Sequence, residues 1–138
     1  MREVEQTDYS FSNDKYVSVF AGLCKSDELL DSYIKKHYDL LECDYIGSEF
    51  GVDFGINTYD EDFLVAVVNK VSSDQIKDVF ADAIVFELRD LEALFPNGLG
   101  SKYNTAIVIG RLKYEGVIKE VCNKEFGYFK FLGTFLNI

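Results

Sequence analysis

Apolar and polar residues recur with strand-like and helical periods in the first third of the chain. Residues 16–21 alternate and are rich in β-formers, so they predict a strand that Gly22 ends. Ser26 is a favourable helix N-cap, and two acidic residues follow it in the first turn. A helix is therefore predicted over residues 26–37, with its apolar face made of Leu29, Leu30, Tyr33 and Ile34.

The middle of the chain predicts one buried strand and two helices. Residues 63–68 form a continuous apolar run, which is typical of a buried strand. Ser72 or Ser73 then caps a predicted short helix over 74–80. A second helix is predicted over 82–95, ended by the Pro96-Asn97-Gly98 segment. Its predicted apolar stripe consists of Ile84, Val85, Leu88, Leu91, Leu94 and Phe95.

The last third of the chain has the composition of strands. Residues 105–112 are rich in β-formers, and Glu115-Gly116 predicts a tight turn into a return strand over 117–121. Residues 126–135 predict a final aromatic strand. One face of that strand should carry Phe129, Phe131 and Gly133, and the other Tyr128, Lys130, Leu132 and Thr134.

This order of elements predicts an α+β fold with a single mixed or mainly antiparallel sheet and helices packed against it. The length of 138 residues fits one domain, with residues 1–14 as a loosely docked N-terminal leader. Residues 39–62 contain a short segment that can begin a turn of helix at Ser48, but three glycines argue against one continuous helix there.

The net charge of the chain argues against partners with an anionic surface. The formal net charge is −10 and the sequence pI is about 4.5, so the chain lacks the basic surface that binds DNA or RNA phosphates or an anionic membrane. No apolar run approaches the roughly 20 residues of a membrane span, and the first residues do not resemble a signal peptide. Three separated cysteines without a CxxC pair predict reduced thiols in a cytoplasmic protein.

Residues 39–62 concentrate the acidic charge, because they contain no Lys or Arg and several tyrosines between the acids. Such carboxylates can bind a hard cation, act as an acid and base pair, face a basic partner, or lie in a solvated loop. A surface without a binding role usually carries both positive and negative charges. The single sign of charge over these residues therefore favours a partner-binding surface. The candidate partner-binding residues are Tyr45, Glu49, Asp53, Tyr59, Asp60, Glu61 and Asp62.

Sequence motifs of catalysis are missing. His37 is the single histidine and is predicted to lie at a helix end, and neither a nucleophile elbow nor a phosphate-binding loop is present. We therefore expect no enzymatic activity and no cofactor. The alternative hypothesis is a small metal-dependent hydrolase or divalent-cation-binding module that uses Asp53, Asp60, Glu61 and Asp62.

Six segments that together span about 120 residues are informative when taken in order. They are Val17–Gly22, Ser26–Tyr33, Phe50–Ile56, Tyr59–Leu64, Tyr103–Ile109 and Phe131–Phe135. Their order, with the Asp-Phe-Gly-Ile and Tyr-Asp-Glu-Asp-Phe pair, is moderately specific and resembles the immunity protein 22 family, a bacterial group associated with polymorphic toxin systems.

The resemblance implies a cytoplasmic α+β domain that binds and neutralises a cognate toxin domain without catalysis. An acidic surface suits a basic toxin, and nuclease toxins are basic where they bind phosphate. Many relatives carry Trp near the end of the first strand, where this chain has Phe20. This difference affects partner choice if the residue is a contact, and only packing if it is part of the core.

Overall fold

Among the residues that the structure describes, one antiparallel sheet of five strands forms the centre of the fold. The computed structural model describes residues 10–35, 48–56, 59, 61–83 and 89–136, and for residues 10–14 and 61 the backbone alone. The strands are β1 (Ser10–Leu23), β2 (Leu64–Ser73), β3 (Tyr103–Tyr114), β4 (Glu120–Asn123) and β5 (Gly127–Leu136). They lie in the spatial order β2-β3-β1-β5-β4, so β1 is central. The predicted α+β fold class is confirmed.

Strand β1 begins six residues before the alternating segment 16–21 that predicts it. Residues 10–12, which belong to the predicted leader, pair with residues 112–114 of β3. The register then shifts between Ser12 and Val17, so the alternation that predicts a strand begins only after this irregularity. Residues 1–9 of the predicted leader lie outside the described residues.

Two short helices cover one face of the sheet, and a serine caps each of them. Helix α1 spans Asp27–Ile34, and Ser26 Oγ accepts a 3.2 Å hydrogen bond from the Leu29 amide. Helix α2 spans Glu49–Phe54, and Ser48 Oγ accepts a 2.9 Å bond from the Gly51 amide. Both caps satisfy amides that have no partner within the helix. The predicted helix start at Ser48 is confirmed.

Helices α3 (Ile76–Val79) and α4 (Arg89–Leu94) cover the other face. In the predicted helix over 82–95, Asp82 lies in a turn, and residues 84–88, including Leu88, lie outside the described residues. Leu91 is fully buried as predicted, but Leu94 is 54% exposed. Phe95, one helical turn after Leu91, packs against the same core as predicted, so the stripe continues from Leu91 to Phe95 and Leu94 points away from it.

The sheet separates two apolar cores because successive residues of a strand point to opposite faces. On the α3–α4 side, Val17, Val19 and Ala21 of β1 pack with Ile76, Phe80 and Leu91. On the α1–α2 side the core is largely aromatic, and it includes Phe20, Tyr33, Phe50, Phe54, Tyr59, Tyr114 and Phe129.

The predicted hairpin between β3 and the segment after Gly116 is wrong. Strand β4 pairs with β5, at the opposite side of the sheet from β3. Both neighbours of β3 are already strands, β1 and β2, so no edge is left for a return strand. Residues 115–119 instead cross towards β5, where Lys119 O accepts a 2.8 Å bond from the Phe131 amide.

The faces of β5 are as predicted only up to Leu132. Phe129 and Phe131 enter the aromatic core, and Leu132 packs on the other side. The pairing with β1 then shifts, because Val19 is opposite Gly133 and Phe20 is opposite Phe131. This irregularity exchanges the faces, so Thr134 reaches Ser18 Oγ at 3.2 Å and does not share the face of Leu132.

Candidate protein-binding face

Helices α1 and α2, which cover the aromatic core, carry acidic charge only. The 3₁₀ turn Glu61–Phe63 is also acidic, but Arg111 lies over its Phe63 ring at 4.0 Å, and Phe63 packs next to Gly110 on the other face of the sheet. The helices on the opposite face mix signs, with Lys77 beside Asp78 in α3 and Arg89 beside Asp90 in α4. We name the acidic residues of α1 and α2 the acidic face, and they are Asp27, Glu28, Asp31, Glu49 and Asp53.

Helix α1 contributes exposed carboxylates to the acidic face. Leu30 and Tyr33 point into the core, and Asp27, Glu28 and Asp31 are exposed on the other side of the helix. Asp27 Oδ1 also accepts a 3.3 Å bond from the Val68 amide of edge strand β2. These three residues were not among the partner-binding residues predicted from the sequence. Their helical spacing opposite the apolar stripe was the available signal.

Asp53 is held by hydrogen bonds within the fold. Its Oδ2 accepts a 2.7 Å bond from the Tyr33 hydroxyl and a 3.0 Å bond from the Asn123 side-chain amide. These bonds join α2 to α1 and to β4. Burial raises the pKa of Tyr33 far above its ordinary value, and the nearby Asp53 carboxylate raises it further. Asp53 thus fixes the geometry of the acidic face from a half-buried position.

Tyr59 is a core residue. It is 5% exposed, its hydroxyl donates to the Ile34 carbonyl, and it is hydrogen-bonded with Ser48 Oγ at 3.0 Å. Its ring meets Phe50 edge-on at 5.8 Å between centroids. Tyr59 therefore anchors the end of α1 and the cap of α2, and it offers almost no side-chain surface to a partner.

The other predicted site residues divide between described and undescribed positions. Glu49 is half-buried at the start of α2, and Asp62 is exposed in the 3₁₀ turn. Glu61 lies in the same turn by its backbone, whereas Tyr45 and Asp60 lie outside the described residues. The structure thus places Glu49 and Asp53 on a helix of the acidic face, and Glu61 and Asp62 in the turn that precedes β2.

The described residues were also searched for a metal-binding cluster, disulfides and a membrane-spanning helix. No group of three or more His, Cys, Asp and Glu residues among them is placed to hold a metal ion. Of the two cysteines in the described part, Cys24 is buried, Cys122 is exposed, and both are free. Within the same ranges, no helix is long and apolar enough to cross a membrane.

Comparison with known proteins identifies a family. No curated protein and no solved structure has significant similarity to this chain. A family model described as Immunity protein 22 matches residues 17–136, which include all described elements except the first residues of β1. The chain therefore belongs to the Immunity protein 22 family, and this membership supports an immunity role.

Proposed function

We propose that this protein is a cytoplasmic immunity protein that neutralises a cognate toxin domain by direct contact through the acidic face. The family supports an immunity role and a toxin partner in general. The observation that carries the finer proposal is the single sign of charge on α1 and α2, beside mixed charge on the helices of the opposite face.

A surface of one sign selects its partner by electrostatic complementarity. Such a surface steers an oppositely charged protein towards itself and raises the association rate at low salt. It also disfavours binding of acidic proteins and nucleic acids. The acidic face is therefore suited to a basic toxin domain. A nuclease-type toxin fits this description because its substrate cleft must attract phosphate.

The aromatic core beneath the acidic face supports a rigid contact surface. Phe20 lies at the centre of this core, 5.1 Å from the Phe50 ring and 5.0 Å from the Phe54 ring between centroids. Both partner rings belong to α2, which also carries Glu49 and Asp53. A packed aromatic layer thus holds the acidic helix in place, which lowers the entropic cost of binding. Phe20 occupies the position where many relatives carry Trp. Because Phe20 is fully buried, its role there is core packing and not partner contact.

Co-expression tests the proposal in cells. The toxin is the domain encoded by the large toxin gene that we expect immediately upstream. We expect wild-type protein to restore growth of bacteria that express this domain, and to form a stoichiometric complex with it on a sizing column. Growth that stays arrested, together with no complex between the purified proteins, would refute the proposal.

Charge reversal then tests the acidic face itself. Glu28→Lys with Asp31→Lys changes two exposed residues of α1, and Asp82→Lys with Asp90→Lys makes the same change of charge at exposed positions on the opposite side. We expect the first pair to weaken toxin binding by about tenfold or more, and the control pair to change it far less. Equal losses from both pairs would mean that net charge matters and the acidic face does not.

A further inference from the structure

A cavity of about 350 Å³ opens at one end of the sheet, next to the start of α1. The end of β1, the start of β3 and the turn between β4 and β5 form its walls. Leu23, which is 42% exposed, and Phe126 supply apolar surface. The volume lies within the range of sites that accept a small ligand or a large side chain.

Hydrogen bonds hold the walls of this cavity in one shape. The Asn104 side chain accepts a 3.0 Å bond from the Cys24 amide and donates a 2.8 Å bond to the Cys24 carbonyl. It thereby extends the pairing of β1 with β3 past the last strand residues. On the other wall, a Cβ at Gly127 would lie 2.1 Å from Leu23 O, so only glycine permits this approach. The cavity is preorganised, which reduces the entropic cost of filling it.

Two cationic side chains line this cavity in a strongly acidic protein. Lys25 and Lys124 are both exposed, and neither forms an ion pair or hydrogen bond through its ammonium group with any residue that the structure describes. Glu125 also lines the cavity, so its charge offsets part of the positive potential. The two lysines nevertheless leave a net positive lining, which favours a carboxylate close to an apolar group.

The cavity is continuous with the acidic face. Lys25 directly precedes Ser26, the N-cap of α1, and Lys124 directly follows Asn123, whose side chain bonds to Asp53 at 3.0 Å. The Phe126 ring of the cavity wall also lies 5.2 Å from the Tyr33 ring of α1 between centroids, so the cavity borders the acidic face.

We propose that this cavity receives an aliphatic residue of the toxin domain together with an adjacent carboxylate, a proposal that rests on the proposed function. The aliphatic group contacts Leu23 and Phe126, and the carboxylate pairs with Lys25 and Lys124. The acidic face then attracts the basic surface of the toxin, and the cavity fixes its orientation through a contact of opposite sign. A contact of this kind excludes basic proteins that lack the matching carboxylate.

A small probe tests the chemistry of the cavity without the toxin. The probe is N-acetyl-leucine, which carries a carboxylate next to an aliphatic side chain, and the control is the neutral N-acetyl-leucinamide. We expect millimolar N-acetyl-leucine to shift the amide NMR signals of Leu23, Asn104 and Gly127 in a saturable manner. The amide control and the Lys25→Gln, Lys124→Gln double variant should show at most a fraction of this shift. Absence of saturable shifts at these three amides would overturn the proposal.

The toxin then tests the biological occupant. Lys25→Glu with Lys124→Glu should weaken binding of the upstream-encoded toxin domain by about tenfold or more. The matched control is Lys70→Glu with Lys77→Glu, which adds the same negative charge at exposed positions outside the cavity. Because a basic toxin is attracted by added negative charge, the control should bind equally well or faster. The cavity pair is thus expected to weaken binding, and the control pair is not.

The outcomes separate this inference from the proposed function. If the cavity pair binds like the control while Glu28→Lys with Asp31→Lys still weakens binding, the cavity proposal is wrong and the acidic face stands. If the wild-type protein does not bind the toxin domain at all, the proposed function fails and the cavity loses the toxin as its occupant.

Discussion

The hydroxyl of Tyr33 donates a 2.7 Å hydrogen bond to Asp53, and this bond joins the two helices of the acidic face. Tyr33 is fully buried, and its ring stacks on Phe129 at 4.3 Å between centroids. Tyr33→Phe keeps the ring and removes the bond. Because the half-buried Asp53 carboxylate keeps its bond from Asn123, we expect a loss of about 1–2 kcal/mol in the free energy of unfolding. Urea denaturation measures this loss, and no change would mean that the bond does not stabilise the fold.

The same residue predicts a loss of stability in alkaline solution. In the folded protein the pKa of Tyr33 lies above its ordinary value near 10, chiefly because of burial and then because of Asp53. Above pH 10 the unfolded chain therefore releases this proton while the folded protein retains it, which favours unfolding. The contribution of Tyr33 should lower the free energy of unfolding by up to about 1.4 kcal/mol per pH unit. Tyr33→Phe should show a correspondingly shallower decline between pH 10 and 11, and an unchanged slope would contradict this assignment.

Two leucines of α4 test the placement of that helix. Leu91 is fully buried and Leu94 is 54% exposed. Leu91→Ala leaves a cavity in the core and should cost about 2–5 kcal/mol, whereas Leu94→Ala should cost well under half of that. Thermal or urea denaturation of both variants measures the difference. Equal costs would show that α4 does not pack through Leu91.

Ser18 closes the irregular part of the pairing between β1 and β3. Its hydroxyl donates a 2.7 Å bond to the Leu112 carbonyl and accepts a 3.0 Å bond from the Tyr114 amide. Arg111, just before these residues, has a left-handed φ of 58°, so the local backbone cannot form a regular ladder. Ser18→Ala leaves both backbone groups buried without this partner and should cost about 1–3 kcal/mol. Ser32→Ala on the exposed side of α1 is the control and should leave stability nearly unchanged.

The sequence predicted those elements whose signals are local. Ser26 and Ser48 marked both helix starts on the acidic face, and the alternation around Val17 and Phe20 marked the central strand. The partner strand of β4 could not be predicted in this way. A turn signal at Gly116 specifies a change of direction, but the occupied edges of β3 decide where the chain goes next.

Only part of the candidate site could be predicted, because composition shows where the charges are but not which side chains are buried. The lack of Lys and Arg over residues 39–62 pointed to an acidic surface, and the fold adds the acids of α1 to it. Tyr59 was predicted as a surface residue because tyrosines lay between acids, yet its hydroxyl finds partners in the Ile34 carbonyl and Ser48. Composition does not distinguish a buried tyrosine with satisfied hydrogen bonds from an exposed one, since both need an apolar ring and a polar partner.

Salt should slow the association of the toxin domain with the acidic face. If the acidic face steers the toxin domain, the association rate should fall steeply as ionic strength rises from about 0.01 to 0.15 M, because the screening length shortens from about 30 to 8 Å. The dissociation rate should change much less, since contacts at short range are screened weakly. Stopped-flow or surface-based kinetics at several salt concentrations measure both rates. The Glu28→Lys, Asp31→Lys variant should show a flatter salt dependence of association than the Asp82→Lys, Asp90→Lys control, although both have the same net charge. Parallel slopes for the two variants would assign the steering to net charge alone and remove the acidic face from the encounter.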